Sequence, residues 1–447
     1  MLEVKGLSTR KISSFASARD RLPSFSFVSG STDITPTSPI PLAGYVTRLG
    51  PYSSIGDPLE ANAVVISSAN KRVVFVTTDL LYVGRDLVDG VLNRLKGSLR
   101  YDELFISASH THHAPSTDKS KPLLGKCVDE YLQMVTLRIA GLIDRLLNEP
   151  PTEIKLRYAS DTLSGLTINR RRVGWEMSIP PRHGMSILPN PSGFIDPLLR
   201  VLTFVDVNDE VKAVAWNFCC HPVSFPFSSQ VSADYPGVVR MLLRSELGEN
   251  LPVLFFQGFA GNVKPVLPPA RPETRNLKDL ALYSASRILN GPGFGRFSLL
   301  QWKEWSGSIG RAVLRLCVEK GTDVEGSIYP SYKLVKLSDF GFKNTVENVV
   351  FRRVDIGEVT MIGLPAEPVA EYVPLITSLL QRRIVIPVGC ADHVFGYLPT
   401  ESMLSEGGYE VEGFVRYFGL SGKFTKGVEN RVVRNIAEGL ALPDSLH

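Results

Sequence analysis

Leu104-Phe-Ile-Ser-Ala-Ser-His110-Thr-His112-His113-Ala-Pro115 is the stretch on which the reading of this chain turns. Leu104–Ser107 is a short apolar run, which predicts a buried strand that leads directly into His110. In an extended segment residues two apart point to one face, so His110 and His112 share a side while His113 faces away. Two imidazoles at the end of a buried strand are a common start of a zinc site. His113 is read as structural.

Two familiar His-x-His systems do not fit. The metallo-β-lactamase pattern requires an Asp and a further His just beyond the pair, where this chain has Ala114 and Pro115. Amidohydrolase barrels carry the pair on their first strand, but here two strands and a helix come first. Ala61–Ser67 and Arg72–Thr78 form a predicted hairpin through Ser-Ala-Asn-Lys, and Arg85–Leu99 has helical apolar spacing.

Downstream the alternation continues. Cys127–Leu147 is predicted to be an amphipathic helix, and Leu199–Val205 with Val211–Phe218 a second hairpin. A helix over Pro236–Leu247, a strand over Val253–Phe256 and a helix over Trp305–Val318 follow. Strands at Asn348–Val354 and Glu358–Ile362, a helix at Pro368–Leu380, a strand at Arg383–Val388 and a helix over Gly427–Leu440 close the pattern. Ile179–Pro197 and Pro265–Phe297 are Pro/Gly-rich and read as long loops covering a pocket. The expectation is a single large mixed α/β domain.

The second hairpin repeats the situation at His110: an apolar strand ends in Cys219-Cys220-His221-Pro. Asp234 suits the N-cap of the next helix. In Gln257-Gly-Phe-Ala-Gly261-Asn262-Val-Lys-Pro265 the glycines allow close backbone approach, to a ligand or within a plain turn. Glu367 falls where a strand passes into a helix expected from Pro368, so helix electrostatics and metal ligation both account for it. Arg170-Arg171-Arg172 reads either as a solvated basic face or as a functional wall. A serine or cysteine hydrolase is disfavoured, because Gly-x-Ser-x-Gly is absent and the adjacent Cys220 and His221 point apart.

Taken in order, these motifs resemble the neutral (non-lysosomal) ceramidases. The resemblance rests on Asp33-Ile-Thr-Pro36, Gly44-Tyr45, Asp57-Pro-Leu-x-Ala61, His110-Thr-His112, His221, Gly261-Asn262-x-x-Pro265, Pro365-Ala-Glu367-Pro, Tyr397 and Tyr409-Glu410. It covers roughly residues 27–442, and implies an N-terminal extension over 1–26 and a catalytic domain over 27–447. It further implies a zinc-dependent amidase with one Zn²⁺ per chain, held by His110, His221, Glu367 and Tyr397. His112, Arg170 and Tyr409 would be the catalytic residues, with metal-bound hydroxide attacking the amide carbonyl of an N-acylated lipid or small molecule. The alternatives are a binding protein that keeps the fold without catalysis, or an esterase or lactonase.

The chain departs from the family in three places. Arg171-Arg172 stand where Ser-Pro normally follows the Asn-Arg motif, which suggests a cationic wall suited to an anionic or polar substrate. No secretory signal is legible in the first twenty residues, and no immunoglobulin-like C-terminal domain follows, so a cytoplasmic location is expected. The composition agrees with a globular enzyme: 447 residues, net charge +4, 44% hydrophobic and 21% charged. Charges do not cluster as nucleic-acid binding requires, and no apolar stretch reaches the ~18 residues of a membrane span. Five cysteines without Cys-x-x-Cys spacing read as reduced, mostly buried thiols. The oligomeric state is left open.

Overall fold

The computed structural model describes residues 25–439 except 70, 177–179, 273–275, 320, 344–346 and 382. The mixed α/β expectation holds, built on two sheets packed face to face. The larger is nine-stranded. Val253–Gln257 lies at one end of its path, followed by Val211–Phe218, Leu198–Val205 and Thr152–Thr162; then come Phe25–Asp33, Glu60–Ser68, Lys71–Thr78 and Leu104–Ala108. Thr322–Val324 pairs with Thr152–Thr162 off this path. The second sheet runs Ile328–Lys336, Asn348–Ile356, Val359–Gly363, Ile384–Val388.

Strand alternation sorts the apolar residues between layers. Phe27, Val64, Phe75, Phe105, Phe204 and Phe256 face the second sheet, meeting Val354, Ile356, Met361 and Ile386. Val65, Val74 and Ile106 face the other way, against the helices Arg85–Arg94 and Asp129–Asn148. Val214, Trp216 and Phe255 pack beneath Tyr235–Leu247 and Leu299–Val318.

Within these two sheets three strand pairs run parallel: Lys71–Thr78 with Leu104–Ala108, Val211–Phe218 with Val253–Gln257, and Val359–Gly363 with Ile384–Val388. Their carboxyl ends are stitched together, Gly389 N donating to Gln257 O (2.8 Å) and Ala108 N to Cys390 O (3.0 Å). In open α/β sheets ligands bind just beyond such ends.

Several local expectations need correction. The two predicted loops hold regular structure: Arg182–Asn190 is a strand paired with Thr167–Glu176, and Leu277–Asn290 is a helix. Pro and Gly are tolerated in the former because it lies at a sheet edge. Glu367–Pro368 is a two-residue strand, with the helix delayed to Tyr372–Leu379. A residue before proline is pushed to extended backbone, which keeps Glu367 out of a helix start. The helix expected from Trp305 begins at Leu299, where Ser298 and Gln301 form a capping box. Phe25–Asp33 begins inside the expected N-terminal extension, of which residues 1–24 lie outside the described residues. Strands Thr152–Thr162, Thr167–Glu176 and Ile328–Lys336 were not anticipated.

None of the five cysteines is bonded, and all but Cys127 are buried. Among the described residues no helix is long and apolar enough to cross a membrane.

Candidate functional site

His110 follows its strand as expected, but not in extended backbone. Its φ is +69°, in the left-handed region that non-glycine residues rarely adopt. Cys390, Asp392 and Asp234, on segments around the same strand ends, share this conformation. Strain concentrated at one place is a mark of functional sites.

The turn at His110 brings its Nδ1 to 3.1 Å from the Leu81 carbonyl. His221 Nδ1 lies 2.6 Å from the Ala260 carbonyl. A carbonyl can only accept, so each Nδ1 carries its hydrogen, and each ring, when neutral, presents a bare Nε2.

Both Nε2 atoms meet the same oxygen. Glu367 Oε2 is 3.2 Å from His110 Nε2 and 3.0 Å from His221 Nε2. The carboxylate arrives through a parallel bridge in which Glu367 faces Tyr397, anchored by Glu367 N donating to Gly396 O (2.8 Å). Its Oε1 accepts a hydrogen bond from the Tyr82 hydroxyl. With both rings in their neutral Nδ1–H forms, the buried Oε2 receives none.

His112 Nε2 stands 3.4 Å from His110 Nε2, and one ligand atom from each of His110, His112 and His221 lies within 4.8 Å of the others. His110, His221, Glu367, Gln257 and Cys390 line a cavity of about 10 Å³, and Gln257 too has a buried acceptor without a partner, Oε1. Buried acceptors facing one another are costly unless a proton or cation lies among them. Imidazole nitrogen with carboxylate oxygen is a donor set that suits a divalent transition metal.

Burial alone would raise the Glu367 pKa, but the His110 imidazole beside it holds it well below the usual carboxylate range. Burial disfavours charge on His110, yet Glu367 outweighs it and raises that pKa well above normal. His221 is lowered to about 4 by burial and then by Arg170, so at neutral pH its Nε2 is bare. Burial and the neighbouring imidazoles hold His112 well below the ordinary imidazole range.

Glycine makes two of the close approaches possible. A Cβ on Gly44, at φ +101°, would sit 2.6 Å from the His112 ring, against which Tyr45 packs with ring centroids 4.8 Å apart. A Cβ on Gly261 would come 2.5 Å from the Glu367 carbonyl oxygen. The glycines of that segment thus admit other parts of the chain.

The structure brings the remaining expected residues to the same place. Tyr397 is buried, its hydroxyl 3.3 Å from Arg170 Nη2, and burial with the Glu367 charge raises its pKa well above normal. Tyr409 opens a π-helical turn, its ring 5.4 Å from that of Tyr397, and burial raises its pKa. Arg170 stands where Leu188 and Pro189 of the neighbouring strand bulge against it.

The expected cationic wall is absent at Arg170 and Arg171, because both are matched. Arg170 Nε meets Glu410 Oε1 at 2.8 Å, and Arg171 Nη1 meets Glu410 Oε2 at 2.7 Å. Arg171 also pairs with Glu406 at 3.0 Å, while Arg172 donates to the Asn290 carbonyl.

His113 is buried against Phe225, in keeping with a structural role. Asp234 caps its helix at Tyr235 N (2.6 Å) and also accepts from Ser224 N and Phe225 N (2.9 and 3.0 Å), tying down the loop after His221. Tyr82, Cys390 and Glu410 were missed as site residues. Glu410 stood within the quoted Tyr409-Glu410 motif without a role, but Tyr82 and Cys390 lacked any local pattern.

Fold and site together define a protein with a buried nitrogen–oxygen donor cluster at the carboxyl ends of parallel strands, fit to hold a metal. The chain belongs to the family described as neutral/alkaline non-lysosomal ceramidase, N-terminal, which matches residues 25–270. It is 28% identical over 267 residues to the neutral ceramidase of Pseudomonas aeruginosa, a match covering 56% of this chain and 38% of that protein. The crystal structure of neutral ceramidase from Pseudomonas aeruginosa has the same fold, with a TM-score of 0.71 at 18% identity, over 94% of this chain and 75% of that one. A ceramidase complexed with C2 superposes with a TM-score of 0.70 at 16% identity, over 93% and 74%.

Proposed function

We propose that this chain is a metal-dependent hydrolase that cleaves the amide of an N-acylated compound, ceramide or a smaller N-acyl molecule. The observation that carries the reading is the buried Glu367 Oε2, without a hydrogen bond, facing two imidazole nitrogens whose other ring atoms are held by carbonyls. The amide chemistry is supported by the family and by the neutral ceramidase relative.

His110, His221, Glu367 and Tyr397 would hold the ion, and zinc suits this set. When bound, it would supply Lewis acidity to acidify water and polarise a carbonyl. The chain's own residues do the rest. The Leu81 and Ala260 carbonyls fix the two ring tautomers, and Tyr82 fixes Glu367. His112, half-buried beside His110, is placed to hydrogen-bond the scissile carbonyl as charge develops there. Arg170, held by Glu410, sets the Tyr397 hydroxyl; Tyr409, part-exposed, is placed to give a proton to the leaving amine.

The test is fatty-acid release from short-chain N-acyl substrates by zinc-supplied protein, chelated protein and the His112→Ala variant. Release by the first, loss on chelation and a fall of about 100-fold or more in the variant are expected. Equal release by all three would contradict the mechanism.

A further inference from the structure

Lys264 lies in the Gly261-Asn262-Val-Lys264-Pro265 segment and has no part in the site described above. The strand Val263–Pro265 pairs antiparallel with Thr167–Glu176, placing Lys264 opposite Ile168. Ile168 and Arg170 are two apart on one strand, so Lys264 shares the sheet face that carries Arg170 into the site. The same segment holds the centre, because His221 N donates to Val263 O (3.2 Å) and Arg170 N to Asn262 O (2.8 Å).

The Lys264 ammonium lies 4.7 Å from the centroid of the Phe294 ring and is part-exposed. Among the described residues no hydrogen bond or ion pair reaches its Nζ. The carboxylates around Arg170 and Asn262 are committed elsewhere. Glu410 is held by two guanidiniums, and Glu367 belongs to the donor cluster. Glu371 receives both hydrogens of the Asn262 amide, at 2.8 and 3.1 Å. Lys264 is therefore a cation without a counter-charge, on the face that carries Arg170. Burial, then repulsion from Arg170, lowers its pKa to about 8, which still leaves it mostly charged at neutral pH.

We propose that Lys264 determines specificity by receiving a carboxylate carried close to the scissile bond, so that the preferred substrates are N-acyl compounds bearing such a group. This rests on the hydrolase reading above and narrows its substrate class. A charge-assisted hydrogen bond from an ammonium on this site face rewards an anion and gives nothing to an uncharged headgroup.

Calorimetric binding to the zinc-supplied protein, paired with hydrolysis assays, tests it on three short amides. N-hexanoylglycine carries the carboxylate on its amine side, and the N-butyl amide of succinic acid carries it on its acyl side. N-hexanoylethanolamine is uncharged. One of the anionic amides is expected to bind about 10- to 100-fold more tightly than the uncharged one, and which one reports the side of the bond that Lys264 serves. Lys264→Met is expected to abolish the preference and Lys264→Arg to keep most of it.

Equal binding of all three to the wild-type protein, a preference unchanged in Lys264→Met, or no binding at all would overturn the inference. A charge preference that Lys264→Met removes, with none of the amides cleaved, would uphold it while the hydrolase reading fails. Cleavage without charge preference would do the reverse.

Discussion

Glu367 and Glu410 are both buried carboxylates serving one site, and the chain treats them oppositely. Each oxygen of Glu410 receives a guanidinium hydrogen bond, from Arg170 and from Arg171. Glu367 has one satisfied oxygen, while the other faces two imidazole nitrogens. The first cluster is completed by the chain itself. The second is completed only by a proton or a cation that the chain must acquire. The difference separates scaffold from machinery among residues that look alike in burial and charge.

That contrast can be broken by substitution. Glu410→Gln should have the largest effect on stability, about 3–5 kcal/mol lost in urea denaturation, because two buried guanidiniums lose their carboxylate. A loss below about 1 kcal/mol would mean that water already reaches this pair. Gly261→Ala should cost about 1–3 kcal/mol, since its Cβ must displace the Glu367 backbone, and it should weaken metal binding as well. A variant of unchanged stability and metal affinity would show that the Glu367 strand is not held tightly.

Tyr82→Phe tests the satisfied side of Glu367. It should weaken zinc binding about 10- to 100-fold in a chelator competition titration while changing metal-free stability little. Unchanged affinity would remove Tyr82 from the account. The smallest stability effect should come from Glu367→Gln. Without the Glu367 charge burial keeps His110 neutral, and an amide nitrogen in place of Oε2 could donate to the two Nε2 atoms, so metal-free protein should keep its stability to within about 1 kcal/mol while zinc binding is lost. A destabilisation as large as that of Glu410→Gln would mean that Glu367 is an ordinary buried ion-pair partner.

The sequence made one half of the site legible. His110 and His221 each end an apolar strand, and such runs announce themselves locally. Asp234 as a helix cap was readable for the same reason. Glu367 and Tyr397 meet through a two-residue parallel bridge between segments thirty positions apart, which has no periodicity to detect and was placed only through family resemblance. The Arg170–Glu410 and Arg171–Glu410 pairs span even longer separations, so a run of three arginines looked like a cationic wall. The edge strand Arg182–Asn190 and the helix Leu277–Asn290 were hidden by the Pro and Gly content of their surroundings. The capping box at Ser298 was visible in the letters and overlooked.

The central claim is that the His110, His221 and Glu367 cluster holds a metal. Elemental mass spectrometry of the purified protein, beside His221→Ala prepared identically and checked for folding by circular dichroism, addresses it directly. The account predicts about one divalent ion per wild-type chain, zinc for preference, and its loss from the folded variant. Folded wild-type protein that retains no metal after zinc is supplied would contradict it.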